Sequence, residues 1–348
     1  MLLTRRTVLL GASAAAAAPL AARGQAKDSA AVQALYEAAK KEGQVSWYSG
    51  TFDQALCDRI GRAFSMKYPG ITVSAIKTTS QVAFQRLVED LRGGGPQCDI
   101  LTSTDVGHFT YLIGKNLLVK YTSEASAGMV PALRDFGDRS FYQVTWVGQV
   151  VILYNSGKVS AADSPKDWRD LTDTKWKDKI TFGSPNYSGI VGVWTVAMAK
   201  AYGWDFFDKL NKLNPLIGRS VDDATTVLNS GERVVAAGNP SSALRSAAKG
   251  NPLGVNYPAS GTLVDPSPSA IIHGSKNPNA AKLFMEFMAG TEFSGILADS
   301  FEQPLRADVP PPQGAKSLAE IKTLIPTIQE IETQLPQNQK KWRDTFNG

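Results

Sequence analysis

Short apolar runs along this chain alternate with longer stretches whose apolar positions recur every three to four residues. "AAVQALYEAAKKEG" has the helical period and stops at Gly43; "QVSWYSGT" follows as a strand, and "FDQALCDRIGRAFSMKYPG" as a helix ending at Pro69-Gly70. The strand "ITVSAIKT" completes a β-α-β unit, which implies a parallel sheet. The alternation continues through helix "SQVAFQRLVEDLRGGG", strand "CDILTST" and helix "DVGHFTYLIGKN". "YQVTWVGQVVILYN" is long enough to run between two lobes, and "DWRDLTDTKWKDKITFGSP" predicts a short helix and a strand. "NYSGIVGVWTVAMAKAYG" opens another helix, and "NPNAAKLFMEFMAGTEF" is amphipathic packing material started by Asn277-Pro278. "ADVPPPQGAKS" reads as a surface loop and "AEIKTLIPTIQEIETQLPQNQKKWRDTF" as a closing helical segment.

Four strand ends finish in small polar residues: Ser49 and Thr51; Ser103 and Thr104; Tyr187, Ser188 and Gly189; Asn239, Ser241 and Ser242. In an open α/β sheet a ligand sits beyond the carboxyl ends of the strands, where helix N-termini present unpaired N–H groups. The same residue types also serve as plain N-caps, which stabilise a helix by about 0.5 to 2 kcal/mol and do nothing for a ligand. Four such turns, two in each half of the chain, describe a polar cleft suited to an anion. Tyr48, Tyr187 and Tyr257 are its expected walls. Arg245 and Lys249 are either charge partners or residues of the outer helix face.

Length divides the picture in two, because single cores stop growing at roughly 250 to 300 residues and this chain has 348. The expected division is a first lobe of residues 27–150 and 258–348 and a second of 151–257. Ahead of them, residues 1–26 carry Arg5 and Arg6, an apolar stretch and small residues near Ala26, the make-up of a secretory leader resembling a twin-arginine signal. Three of the five excess positive charges belong to Arg5, Arg6 and Arg23 of that leader. No run of Lys and Arg interleaved with aromatics occurs, so nucleic acid is not expected as a partner. Cys57 and Cys98 are either bridged or two buried thiols.

Catalytic equipment is scarce. His108 and His273 stand alone in sequence, with His108 reading as a surface or packing residue, and Asp99 as a loop-side hydrogen-bond acceptor. There is no HExxH, CxxC or P-loop lysine motif. "NYSGIVG" departs from the Gly-x-Ser-x-Gly nucleophile elbow by carrying Asn186 in the first glycine's place. An enzyme, a metal site and a cofactor are not expected.

The order "VSWYSGTFDQALCDRIGRAFSMKYPGITV", "CDILTSTD", "VVILYNSGKV", "LNSGERVVAAGN" and "NPNAAKLFMEFMAGTEF" resembles the solute-binding proteins of ABC transporters in their ferric-iron-binding branch. The resemblance implies an α/β, two-lobe type II periplasmic-binding-protein fold with a two-segment hinge. It also implies a monomeric receptor in the periplasm that serves a permease in the inner membrane. Iron-binding relatives hold the metal mainly through tyrosines, and their adjacent pair falls here on Ser241 and Ser242; Phe52 and Thr104 stand at two other ligand positions. Neutral hydroxyls do not replace phenolates as ligands for a hard cation. The resemblance therefore points to a small polar solute, anionic and organic or phosphorus-containing; an iron receptor with altered ligands and a periplasmic enzyme are the alternatives.

Overall fold

The computed structural model describes residues 28–346, and the leader reading of residues 1–26 falls outside the described residues. Helix α1 (Ala30–Glu42) opens on Ser29, whose side chain accepts the Val32 N–H, and stops at Gly43 with φ 74°. That left-handed conformation ends a helix, and glycine adopts it without a Cβ clash. Strand β1 (Gln44–Ser49), helix α2 (Gln54–Lys67) and strand β2 (Thr72–Lys77) form the expected parallel unit, with Gln44 opposite Thr72 and Ser49 opposite Lys77. Helix α3 (Ser80–Arg92) leads to β3 (Ile100–Thr102), which pairs with the other edge of β1. Helix α4 (Val106–Gly114) and the single turn α5 (Pro131–Arg134) follow.

Strand β4 (Gln143–Asn155) carries the chain into the second lobe. There β5 (Ile180–Phe182), α6 (Gly189–Tyr202), α7 (Asp205–Asn211) and β6 (Leu216–Ile217) are followed by α8 (Asp223–Ser230), β7 (Val235–Gly238), α9 (Pro240–Ala247) and β8 (Leu253–Asn256). Strand β9 (Thr262–Ile271) returns to the first lobe, where α10 (Pro278–Ala289) and α11 (Thr291–Asp299) pack; β10 (Thr323–Leu324) and α12 (Ile328–Phe346) end the described chain. The described strands make one sheet in the order β2-β1-β3-β9-β4-β7-β5-β6, with β8 joined to β4 and β10 to β9.

Two antiparallel strands cross between the lobes. Gln143 to Val150 of β4 pair with β9, and Val151 to Asn155 of the same strand pair with β7 and β8. Pro266 and Pro268 sit in the middle of β9, where a missing N–H would break a ladder. The Pro268 carbonyl accepts the Ser103 N–H at 3.1 Å, so this proline faces away from β4, just past the end of β3. The missing donor of Pro268 thus falls on the edge of β9 turned away from β4, where the ladder with β3 has ended.

Each lobe buries apolar side chains on both faces of its part of the sheet. In the first, Val45, Trp47, Phe64 and Phe284 fill one face and Leu87, Leu101 and Phe109 the other. In the second, Phe182, Trp194 and Phe207 face Val151, Leu153 and Ala236 across the sheet.

Three expectations about elements are corrected here: the packing of the last helix, its start, and the helix around Trp168. Helix α12, assigned by sequence to the first lobe, packs on the second: Trp342 is buried with its ring 5.7 Å from those of Phe182 and Phe207. An aromatic face left open by β5 and α7 is what its apolar stripe can cover. That helix also begins late, at Ile328, because Pro326 disfavours helical backbone at the residue before it. Around Trp168 and Trp176 the chain forms two 3₁₀ turns in place of the short α-helix. Of the two readings of Cys57 and Cys98, the structure has free, buried thiols.

Candidate functional site

The four polar turns do not all reach the gap between the lobes. At the first, Asp53 caps α2 by accepting the Leu56 N–H at 2.8 Å. Thr51, just before it, points its hydroxyl inward, buried and without a hydrogen-bond partner. Gly50 allows this geometry, because a Cβ there would stand 2.5 Å from Ser80 Oγ and 2.8 Å from Ser80 Cα. Ser49 is fully buried behind the turn and lines neither of the two cavities described below.

At the second turn, Ser103 Oγ accepts the Asp105 N–H at 3.0 Å and lies 2.9 Å from His108 Nδ1. Ser103 is therefore spent on the start of α4. His108 is a packing residue: its ring stacks on Phe84 at 4.0 Å, and burial holds its pKa below the usual value. Thr104 bonds Ser80 Oγ at 3.0 Å and reaches a cavity of about 400 Å³ shared with Tyr187, Ser188 and Gly189 and walled by α12.

At the third turn Ser188 has extended backbone at the N-cap of α6 but makes no side-chain cap bond, so its hydroxyl is not consumed by the helix. Ser188 borders both that smaller cavity and a larger one of about 600 Å³. Tyr187 is 71% exposed, with the Arg219 guanidinium 5.6 Å above its ring.

The fourth turn is the most heavily wired. Asn239 caps α9, accepting the Ser241 N–H at 3.0 Å and donating to Asp222 at 2.9 Å. The Ser242 hydroxyl also donates to Asp222. Ser241 donates to Glu302 at 3.2 Å, and Arg245 donates to the other oxygen of the same carboxylate at 3.0 Å. Arg245 thus faces the gap, whereas Lys249, one turn further on, is exposed beyond the helix end.

Two of the expected walls lie elsewhere. Tyr48 alternates to the far face of β1, where its hydroxyl donates to Asp90 at 2.8 Å and burial pushes its pKa up to about 12. Tyr257 packs beside β8 and α9, with Lys316 6.0 Å from its ring. Asp99 ties loops together: it accepts from Ser46 at 2.7 Å, Ser275 at 2.7 Å and Asn277 at 3.0 Å.

The larger cavity collects Thr51, Ser188, Asn239 and Ser242 from the expected set, and adds groups that the sequence reading does not single out. Its wall carries four carboxylates, Asp53, Asp222, Asp299 and Glu302, against two guanidinium groups, Arg59 and Arg245; no tyrosine lines it. Arg59 is engaged with Asp299 at 2.9 Å and Ser300 at 3.0 Å. Glu302 is only 9% exposed. Burial raises its pKa, against the bonds from Trp146 and Ser241 and the charge of Arg245, while nearby Asp222 adds to the rise. Asp222 could have been found by the same reasoning, since "GRSVDD" after β6 is a fifth polar strand end. Glu302 gives no such signal, following a helix in "DSFEQP". Among the described residues no group of three or more His, Cys, Asp or Glu is placed to hold a metal ion.

Such a wall can treat both ends of a small molecule. Hydroxyls, Arg245 and the N-termini of α2 and α9 donate to an acid group, and Asp222 accepts from an ammonium. The volume lies within the roughly 300 to 1,000 Å³ of ordinary ligand sites.

Known proteins resemble this chain in sequence and in fold. The family described as bacterial extracellular solute-binding protein matches residues 22–293. A protein of Salmonella paratyphi A (strain ATCC 9150 / SARB42), provisionally named a 2-aminoethylphosphonate-binding periplasmic protein, is 24% identical over 320 residues, covering 86% of this chain and 88% of the relative. Iron-bound HitA from Pseudomonas aeruginosa superposes with a TM-score of 0.71 at 24% identity, covering 87% of this chain and 99% of that one. AfuA from Actinobacillus pleuropneumoniae, solved with fructose-6-phosphate, gives a TM-score of 0.71 at 21% identity over 88% of this chain and 99% of its own. The two-lobe α/β fold is that of these periplasmic binding proteins.

Proposed function

Because this chain belongs to the bacterial extracellular solute-binding protein family, we propose that it is the periplasmic, monomeric receptor of an ABC importer whose solute is a small phosphorus acid carrying an amino group. The observation that carries this reading is the mixed charge of the roughly 600 Å³ interlobe cavity. Four carboxylates against two guanidinium groups leave its wall net negative, so a bare anion meets repulsion that an added ammonium relieves. The acid end suits Thr51, Ser188, Arg245 and the amide groups at the start of α2 and α9; the amino end suits Asp222. A phosphorus acid uses such a site well, with three acceptor oxygens where a carboxylate has two. The name of the Salmonella relative points to the same class. The leader reading of residues 1–26 supports a place outside the cytoplasm, and no helix among the described residues is long and apolar enough to cross a membrane.

The test is a thermal-shift and calorimetric panel of 2-aminoethylphosphonate, ethylphosphonate, ethanolamine, fructose 6-phosphate and ferric citrate. A ligand at 100 times its dissociation constant adds about 2.7 kcal/mol of stability, so the shift is easily read. The aminophosphonate is expected to bind more tightly than either half-molecule. Binding of ethylphosphonate as tight as that of the aminophosphonate, or a tyrosinate-to-iron colour with ferric citrate, would overturn the reading.

A further inference from the structure

Glu302 belongs to the first lobe, in the loop after α11, yet two of its three partners, Ser241 and Arg245, lie across the gap. One oxygen receives Trp146 Nε1 of the crossing strand β4 at 3.1 Å and Ser241 Oγ of the second lobe at 3.2 Å. The other receives Arg245 of the second lobe at 3.0 Å. Glu302 borders the interlobe cavity, and Arg245 keeps a buried Nε with no partner. A carboxylate held across the gap in this way occupies donors that an incoming acid needs.

We infer that Glu302 is a resident stand-in for the acid group of the ligand, joining the empty lobes through Ser241 and Arg245 and setting which acids displace it. Tethered to the chain, it competes at an effective concentration in the millimolar range. A carboxylate ligand offers Arg245 and Ser241 nothing that Glu302 does not already supply, and so gains little by exchange. A phosphonate or phosphate ester brings a third oxygen and up to a second charge. The extra oxygen has a donor in the Ser188 hydroxyl, which makes no cap bond to α6 and borders the same cavity. Glu302 thus selects phosphorus acids over carboxylic acids; this half of the inference rests on the proposed ligand class, whereas the joining of the lobes does not.

The experiment uses the mature protein with spin labels at Met66→Cys in α2 and Lys209→Cys in α7; Met66 is 81% exposed, and the native thiols of Cys57 and Cys98 are buried. Without any ligand, Glu302→Gln and the milder Ser241→Ala should lengthen or broaden the label-to-label distance, with circular dichroism confirming the fold. Binding of 2-aminoethylphosphonate and of its carboxylate counterpart, 3-aminopropanoate, is then compared. In Glu302→Gln the preference for the phosphonate should fall about tenfold, the scale of one hydrogen bond to a charged group. An unchanged distance in both variants, or an unchanged preference in Glu302→Gln, overturns the inference. If neither compound binds the wild-type protein, the proposed ligand class fails, and the ligand-free distances still decide whether Glu302 joins the lobes.

Discussion

At the scale of single residues, Asp265 shows how far a side chain can depart from its free behaviour. It lies on β9 opposite Gly148 of β4, 2% exposed, with Oδ2 unpartnered. Burial, with the Asp105 charge as a lesser cause, pushes its pKa up to about 8. The unfolded chain releases this proton near pH 4, whereas the folded protein keeps it to about pH 8. Through that window the unfolded state binds fewer protons, so stability falls as pH rises. Asp265→Asn removes the titration. Urea unfolding at pH 5, 6.5 and 8 should show the wild type losing ground to this variant by a few kcal/mol in total, with a constant difference above pH 8. A gap that does not change with pH would refute the assignment. Glu302 is also raised by burial, but its three donors hold it in a defined place, which separates a residue that joins two lobes from one that merely burdens a strand.

At the scale of elements, α12 decides more than its polar composition suggests. Trp342 inserts beside Phe182 and Phe207, and its ring lies 4.3 Å from that of Phe346. Gln339 donates to the Pro185 carbonyl at 2.9 Å, so the same helix steadies the turn that carries Tyr187 and Ser188. Trp342→Ala should cost about 3 to 5 kcal/mol, the range for truncating a large buried aromatic; the check is the midpoint of chemical unfolding, and a loss below 1 kcal/mol would mean the helix is not part of that core. By contrast, α9 is short, yet its first two turns supply Ser242 and Arg245 to the cavity and place Ser241 on Glu302. The wiring of its N-terminus to Asp222 and Glu302 matters more there than helix propensity.

At the scale of the molecule, neither lobe is a continuous segment. Strands β4 and β9 are shared, Leu263 of β9 enters the core of the second lobe, and Trp342 comes back to it from the far end of the chain. Unfolding one lobe removes packing from the other, so heating the ligand-free protein should give one transition in which tryptophan fluorescence and far-ultraviolet dichroism coincide; two separated steps would show independent lobes. The two-lobe α/β architecture was legible in the sequence because period and punctuation are local: caps such as Asp53 and Asn239 and the stop at Gly43 act within a few residues. Local pattern also located Thr51, Ser188, Asn239 and Ser242, all of which reach the larger cavity. It could not show that Tyr48 turns to the far face or that Ser103 is consumed by α4, since both outcomes depend on partners supplied by packing. Least legible was the charge of the cleft. Ser241 and Glu302 are 61 residues apart and meet only because β4, α9 and the loop after α11 converge. The sequence by itself determined most of the elements, the family and the polar strand ends; the tertiary structure alone decided which groups face one another, because a hydrogen bond acts over about 3 Å and no local pattern carries information about so distant a partner.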